Sequence, residues 1–155
     1  MYLENSLRVP DQLEMCGVNV DLGRVDMPVY MLACREDHIV PWKTAYASTP
    51  LLQGDQTFVL SASGHIAGVI NPPAAKKRSH WLSEGTKFPA DVNDWIAGAK
   101  ELPGSWWTDW SGWLKGHAGK QIAAPKSYGK GTKFKAIEPA PGSYVKFRLD
   151  AQKKD

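Results

Sequence analysis

Two short apolar segments, Val29–Cys34 and Thr57–Leu60, constrain the fold of this chain more than any other feature. Neither segment alternates with polar residues, and such runs are typical of strands covered on both faces, as in a parallel sheet. Between them, Pro41 suits the first turn of a helix. The pattern therefore predicts strand–helix–strand with a right-handed crossover, which places this part of the chain in the α/β class.

Length and composition limit the remaining choices. With 155 residues, 43% of them hydrophobic, the chain is long enough for one domain with a core. It holds two cysteines, too few for a disulfide framework, and no signal-peptide pattern, so a reducing, cytoplasmic compartment is expected. No apolar run reaches the roughly 18 residues that a membrane span needs.

Charge divides the chain unevenly. The residues from Lys115 to the end include ten basic and three acidic side chains, whereas the first 114 residues carry an acidic excess. This segment is also rich in lysine, glycine and proline, so we expect a folded domain over residues 1–118 and a basic tail over residues 119–155. The tail lacks a recognised nucleic-acid motif, and no nucleic-acid partner is expected.

Asp37 and His65 are the candidate catalytic residues, because each follows one of the two predicted strands. A carboxylate at a strand end can orient a histidine ring, and a histidine among small residues can approach a nucleophile. In α/β-hydrolases the acid and the histidine follow the nucleophile in this chain order. The alternatives are an Asp37 that caps the following helix and an ordinary loop histidine, while the adjacent His38 is interpreted as scaffold.

The chain offers no obvious nucleophile. An α/β-hydrolase nucleophile lies in a G-x-S-x-G or G-x-C-x-G turn, where glycines permit strained backbone. Cys16 lies in EMCGV and Cys34 in LACRE, and no G-x-S-x-G occurs. Both cysteines are therefore interpreted as filling the core.

The second half of the chain holds further segments with weaker signals. Residues 74–89 are predicted to form a polar loop. Asp91 is predicted to cap a helix with apolar residues at helical spacing up to Ala99, and Pro103-Gly104 to end it. Ser105 is predicted to cap a Trp-rich helix. Its tryptophans could stack on a ligand, but at helical spacing packing is favoured.

Five segments resemble class I polyhydroxyalkanoate synthases. They are REDHIVPWKTAYAST, SGHIAGVINPP, KKRSHW, PGSWWTDW and IEPAPGSYVK. The resemblance covers nearly the whole chain and implies the C-terminal part of an α/β-hydrolase-type catalytic domain with a Cys–His–Asp triad. Asp37 matches the family's acid and His65 its histidine. The family's cysteine lies in a G-x-C-x-G box upstream, so the chain is expected to be about the last quarter of such a synthase and inactive alone.

The resemblance also implies a reaction and partners. The family polymerises (R)-3-hydroxyacyl-CoA, typically 3-hydroxybutyryl-CoA, into polyester with release of CoA. The thioester is the substrate, and no metal or redox cofactor is needed. His65 would be the general base, and Asp37 would either orient it or assist hydroxyl activation. A growing polyester chain, the polyester granule surface in the cytoplasm and a homodimer of the full-length enzyme are the expected partners.

Two other functions remain open at this point. The Trp-rich helix and the basic tail could form a non-catalytic module that attaches to a granule surface or a synthase subunit. An ordinary hydrolase with a serine nucleophile is the other alternative.

Overall fold

The computed structural model describes residues 3–83, 85, 88–127, 129–130 and 132–148. The chain divides into two units, Met1–Ala118 and Gly119–Asp155.

A mixed four-stranded sheet forms the centre of the first unit. Its strands are β3 (Val29–Cys34), β4 (Gln56–Ser61), β5 (Ser79–Leu82) and β6 (Lys100–Pro103), in that spatial order. β3 and β4 pair in parallel, whereas β5 and β6 each pair antiparallel to the strand before them. The sheet with its helices has the predicted α/β character, although only one strand pair has the parallel arrangement expected throughout.

The predicted strand–helix–strand unit is present. Helix α1 (Trp42–Tyr46) lies between β3 and β4 and begins directly after Pro41. It is short, because a separate 3-10 turn over Thr49–Leu51, with Pro50 in it, replaces any continuation of the helix. The parallel register pairs Val29 with Gln56 and Cys34 with Ser61, so both strands end at the same edge of the sheet.

Alternating side chains send one face of the sheet into an aromatic core. Helix α2 (Val92–Gly98) joins α1 on this face, and the Asp91 carboxylate caps it by accepting the Asn93 N–H at 2.8 Å. Phe58 and Trp95 meet edge to face at 5.0 Å between ring centroids. The buried members of this core are Ala33, Tyr46, Phe58, Leu60, Trp81 and Trp95.

The opposite face of the sheet is covered by the Trp-rich helix α3 (Trp107–His117). Tyr30 of β3 packs against Trp106 and Trp113, with ring centroids 6.3 Å and 5.5 Å apart. Ser105 accepts the Trp107 N–H at 3.0 Å, as a cap would, although Trp106 is the residue that flanks the helix. Packing is therefore the role that the structure gives to Trp106 and Trp113.

The remaining described elements are small. A hairpin of β1 (Leu13–Met15) and β2 (Val18–Val20) precedes the sheet, and 3-10 turns occur at Ser6–Arg8, Leu22–Arg24 and Pro73–Ala75. The second unit contains the two-residue strands β7 (Gly129–Lys130) and β8 (Phe134–Lys135) and a 3-10 turn at Tyr144–Lys146. No helix in the described part of the chain has both the length and the apolarity needed to cross a lipid bilayer.

Three predictions are wrong. Residues 74–89 are not simply a polar loop, because Ser79–Leu82 forms β5, paired on both sides within the sheet. The chain does not remain helical up to Pro103, because α2 ends at Gly98 and β6 follows. Cys16 does not fill the core: it is exposed in the turn between β1 and β2 with a φ of 51°.

Candidate functional site

The loops that follow β3 and β4 lie side by side. Beyond the last paired residues, the Arg35 N–H donates to the Ser61 carbonyl at 2.8 Å and the Glu36 N–H to the Ser63 carbonyl at 3.0 Å. The parallel pairing thus continues past the strands and delivers both loops to the carboxyl edge of the sheet. Binding sites of α/β sheets form at this edge.

Asp37 occupies the first of these loops and uses its two carboxylate oxygens differently. Oδ1 accepts the backbone N–H groups of Ile39 at 2.8 Å and Val40 at 2.9 Å. Oδ2 lies 2.8 Å from Nδ1 of His65. The predicted alternative, a cap on helix α1, is therefore wrong in detail: Oδ1 closes a turn before the helix and leaves Oδ2 for the histidine.

These contacts stabilise the ionised form of Asp37. The backbone hydrogen bond from Val40 and the bond to His65 lower the pKa of the Asp37 carboxyl from its ordinary 3.8 to about 2. Only 10% of the Asp37 side chain is exposed, against 46% of the His65 side chain. The carboxylate is thus enclosed by its donors, while the imidazole ring faces outward.

The hydrogen bond fixes which ring nitrogen of His65 is available for chemistry. A carboxylate can only accept, so Nδ1 carries the hydrogen in this pair. In the neutral ring, Nε2 then holds the lone pair, which is the state of a general base. A carboxylate holds Nδ1–H of a histidine in the same way in Ser-His-Asp triads.

The loop around His65 is a compact turn anchored at Gly68. The Gly68 N–H donates to the Gly64 carbonyl at 2.9 Å. The Gly68 carbonyl accepts two side-chain donors, the Ser61 hydroxyl at 2.8 Å and Nε1 of Trp106 at 3.0 Å. Nε1 of Trp107 reaches the next carbonyl, that of Val69, at 2.9 Å.

Neither cysteine is hydrogen-bonded to His65 among the described residues. Cys34 is 3% exposed, and burial, followed by the Asp37 charge, raises the pKa of its thiol, which favours the unreactive protonated form. Cys16 lies on the β1–β2 hairpin. Within the described residues, no serine hydroxyl is hydrogen-bonded to His65, so the serine-hydrolase alternative gains no support.

The surface next to the pair is apolar. Both loops expose large aliphatic side chains, namely Ile39, Val40, Ile66, Val69 and Ile70. A cleft of about 930 Å³ beside α1 is lined by neither Asp37 nor His65. No cluster of three or more metal-ligating side chains occurs among the residues that the structure describes.

Sequence reasoning named Asp37 and His65, and the structure brings them together. It did not identify the indole donors of Trp106 and Trp107, although the Trp-rich segment was noted. The available signal was weak, because the spacing of 38 residues between each indole and its acceptor has no local sequence signature.

Comparisons with known proteins agree on one family. No protein-family model matches the chain. It is 58% identical to the poly(3-hydroxyalkanoate) polymerase subunit PhaC of Cupriavidus necator over 94% of its own length, which corresponds to 24% of that protein. Identity is 44% to the Rhizobium meliloti subunit PhaC, over 95% of this chain and 23% of that protein. It is 40% to the Ectopseudomonas oleovorans poly(3-hydroxyalkanoate) polymerase 2, over 91% of this chain and 25% of that protein.

The chain thus spans about a quarter of the length of the curated relatives that it matches. Over that span, this chain belongs to the poly(3-hydroxyalkanoate) polymerase family.

Proposed function

We propose that this chain supplies the histidine and the acid of a poly(3-hydroxyalkanoate) polymerase active site, and that the nucleophile comes from polymerase sequence outside it. The observation that carries the proposal is the 2.8 Å contact between Nδ1 of His65 and Oδ2 of Asp37. It joins two loops at the ends of neighbouring parallel strands, in the chain order of α/β-hydrolase triads. The chain would accordingly be part of an α/β-hydrolase-type catalytic domain.

The proposed reaction begins with proton transfer. Nε2 of His65 accepts the proton of a cysteine thiol, and the thiolate attacks the carbonyl carbon of a (R)-3-hydroxyacyl-CoA thioester. A new C–S bond forms and the bond between the acyl group and CoA breaks. The imidazolium gives its proton to the CoA thiolate, which leaves as the free thiol. Asp37, ionised above its pKa of about 2, stabilises the imidazolium and holds the ring in its tautomer.

Chain growth uses the same base. Nε2 of His65 takes the proton of a 3-hydroxyl group, whose oxygen attacks an acyl thioester, so that an ester forms and a thiolate is released. Substrate and product are thus acyl-CoA and polyester, and no metal or redox step is involved. A cytoplasmic location on polyester granules and a homodimeric full-length enzyme belong to the same proposal.

Two surface features support completion of the site by further polypeptide. β3 lies at one end of the sheet, so one of its edges is unpaired within the described residues. The aliphatic side chains of the Asp37 and His65 loops are exposed beside the catalytic pair. Without that further polypeptide, the base has no nucleophile, and the isolated chain should not release CoA.

A chimeric polymerase tests the proposal. The matching quarter of the Cupriavidus necator polymerase is replaced by this chain, and CoA release from 3-hydroxybutyryl-CoA is measured. We expect activity in the chimera, a roughly 10²- to 10⁴-fold loss of kcat in His65→Gln, and a large loss in Asp37→Asn.

The matched control is His38→Gln, which removes an exposed histidine next to Asp37 and should leave kcat unchanged. An active chimera in which His65→Gln retains wild-type kcat would refute the proposal. CoA release by the isolated 155-residue chain would refute the claim that the nucleophile lies elsewhere.

The second unit favours a further candidate function, a surface-attachment module. Its described residues expose large apolar side chains within a basic segment, namely Ile122, Phe134, Ile137, Tyr144, Val145 and Phe147. Co-sedimentation with polyester granules that survives Asp37→Ala and His65→Ala, but is lost when residues 119–155 are deleted, would support attachment without catalysis. Equal sedimentation of the truncated and full-length chains would exclude it.

A further inference from the structure

The loop that carries His65 is held by hydrogen bonds other than the one to Asp37. Trp106, which flanks helix α3, and Trp107, its first residue, donate their indole N–H groups to consecutive carbonyls of this loop. Trp106 donates to Gly68 at 3.0 Å and Trp107 to Val69 at 2.9 Å. The acceptors lie three and four residues beyond His65. The loop is therefore hydrogen-bonded to α3 at two adjacent carbonyls close to His65.

The first of these hydrogen bonds is buried. Trp106 is 7% exposed, and its acceptor, the Gly68 carbonyl, also receives the hydroxyl of the fully buried Ser61. Buried hydrogen bonds are costly to break, because the released carbonyl would find no water to replace its donors. The loop therefore cannot rise from the sheet without exposing or orphaning these groups.

Helix α3 is in turn tied to the strand that leads to Asp37. The Tyr30 hydroxyl of β3 donates to the Asp109 carboxylate of α3 at 2.8 Å, and the Tyr30 ring packs on Trp106. A continuous set of contacts thus runs from β3 through α3 to the His65 loop. Asp37, which follows β3, and the His65 loop, which α3 holds, are therefore both positioned by β3.

This support matters because the His65 side chain is open to water. His65 is 46% exposed, and an ion pair or hydrogen bond in contact with water contributes little net free energy, since water competes for both partners. The buried hydrogen bonds from Ser61 and Trp106 to Gly68 therefore add support that the exposed His65 contact lacks.

We propose that Trp106 and Trp107 are positioning residues, whose indole N–H groups hold the His65 loop so that Nδ1 meets Oδ2 of Asp37. The consequence for catalysis rests on the proposed function, but the consequence for the ring tautomer does not. Loss of an indole donor should loosen the loop, weaken the contact with Asp37 and return His65 toward the Nε2–H tautomer that a free histidine side chain prefers.

The test measures that tautomer directly. Nitrogen-15 NMR of the 155-residue chain labelled at its four histidines gives the ring nitrogen shifts, with His65 assigned from His65→Gln. We compare Trp106→Phe and Trp107→Phe with Trp113→Phe, which removes an indole of the same helix that makes no hydrogen bond within the described residues. Replacement of Trp106, whose hydrogen bond is buried, by benzothienylalanine keeps the indole shape and removes only the donor.

The expected result is a shift of the His65 nitrogens toward the Nε2–H form in Trp106→Phe, Trp107→Phe and the benzothienylalanine protein, with the Trp113→Phe protein unchanged. In the chimeric polymerase, benzothienylalanine at Trp106 should lower kcat by roughly 3- to 10-fold with little change in KM, the size of one lost buried hydrogen bond. Wild-type His65 shifts in the benzothienylalanine protein, or an equal shift in Trp113→Phe, would overturn the proposal.

The two proposals fail separately. If Asp37→Asn and His65→Gln chimeras remain active, the proposed function is wrong, yet the tautomer shift in the tryptophan variants still reports on positioning. If those chimeras are inactive while the tryptophan variants retain both the wild-type tautomer and the wild-type kcat, only the positioning role is wrong.

Discussion

Gly68 packs directly against Cys34, so that a Cβ atom on Gly68 would lie 2.7 Å from the Cys34 Sγ and 2.8 Å from the Ala62 carbonyl oxygen. The buried end of β3 and the turn that follows His65 are therefore in van der Waals contact, with no space for a methyl group between them. The contact explains why residue 68 is a glycine. The carbonyl of the same residue accepts the two donors described above. It also links the packing of the sheet edge to the position of the histidine.

Gly68→Ala should destabilise the first unit. The added methyl group must displace the Cys34 side chain or backbone oxygens, and overpacking of this kind costs about 1–3 kcal/mol. Denaturant unfolding followed by circular dichroism measures the loss. In the chimeric polymerase the same substitution should lower kcat, because the displaced turn carries His65.

Gly112→Ala is the matched control for that substitution. Gly112 lies within helix α3, and a Cβ atom there would meet nothing within 4 Å. Alanine in the helix interior should raise stability by about 0.5–1 kcal/mol. Equal stability of the Gly68→Ala and wild-type proteins would show that the Cys34 side chain can move aside at little cost in free energy.

Asp37 should make the stability of the chain depend on pH in the acid range. Its folded pKa of about 2 lies below the ordinary 3.8, so ionised Asp37 favours the folded state above pH 4. That contribution is lost as pH falls from about 4 to about 2. The difference in unfolding free energy between wild type and Asp37→Asn should therefore shrink over this window.

Asp26→Asn provides the comparison for this titration, since it replaces an exposed carboxylate that makes no side-chain hydrogen bond among the described residues. The difference in unfolding free energy between Asp26→Asn and wild type should stay small from pH 5 to pH 2. A wild-type to Asp37→Asn difference that stays constant from pH 5 to pH 2 would contradict the assigned hydrogen bonds.

The strand–helix–strand unit could be predicted because its signals are local. Val29–Cys34 is apolar throughout, and Pro41 marks the start of α1. β5 could not be predicted in the same way, because SHWL is short and its buried His80 and Trp81 gain their environment only by pairing with β4. β6 ends in Pro103, which an edge strand tolerates and an interior strand does not.

The candidate site likewise has one part with a local sequence signal and one part without. The meeting of Asp37 and His65 follows from two adjacent parallel strands that end in register, a relation visible in the order of apolar runs and polar loops. The anchoring of Gly68 by Trp106 depends on how α3 lies across the far face of the sheet. Such long-range packing leaves no periodic pattern in the chain, and so only the Trp-rich composition hinted at it.

The two cysteines should differ in reactivity. Cys16 is exposed in a hairpin turn, whereas Cys34 is buried, with a thiol pKa raised by burial and then by Asp37. A thiol reagent at neutral pH should label one cysteine per folded chain rapidly and the second only after denaturation. Cys16→Ser should abolish the rapid phase, and rapid labelling that persists in Cys16→Ser would show that Cys34 is accessible.

Tyr30→Phe tests the link between β3 and α3. Loss of the hydrogen bond to Asp109 should lower the free energy of unfolding by about 1 kcal/mol at neutral pH.

Burial, reinforced by the bond and the charge of Asp109, raises the Tyr30 pKa well above its ordinary 10.0. An unfolded chain would therefore release this proton near pH 10 while the folded chain keeps it, so the contribution of Tyr30 to stability falls as pH rises further. The wild-type advantage over Tyr30→Phe should accordingly narrow above pH 10, which denaturant unfolding at pH 7 to 11 measures.

Tyr144→Phe, which alters an exposed ring in the second unit, should match wild type at neutral pH. Because Tyr30 also packs on Trp106, Tyr30→Phe keeps the ring and removes only the hydroxyl. An unchanged stability at neutral pH would mean that the hydroxyl does not hold α3 against β3.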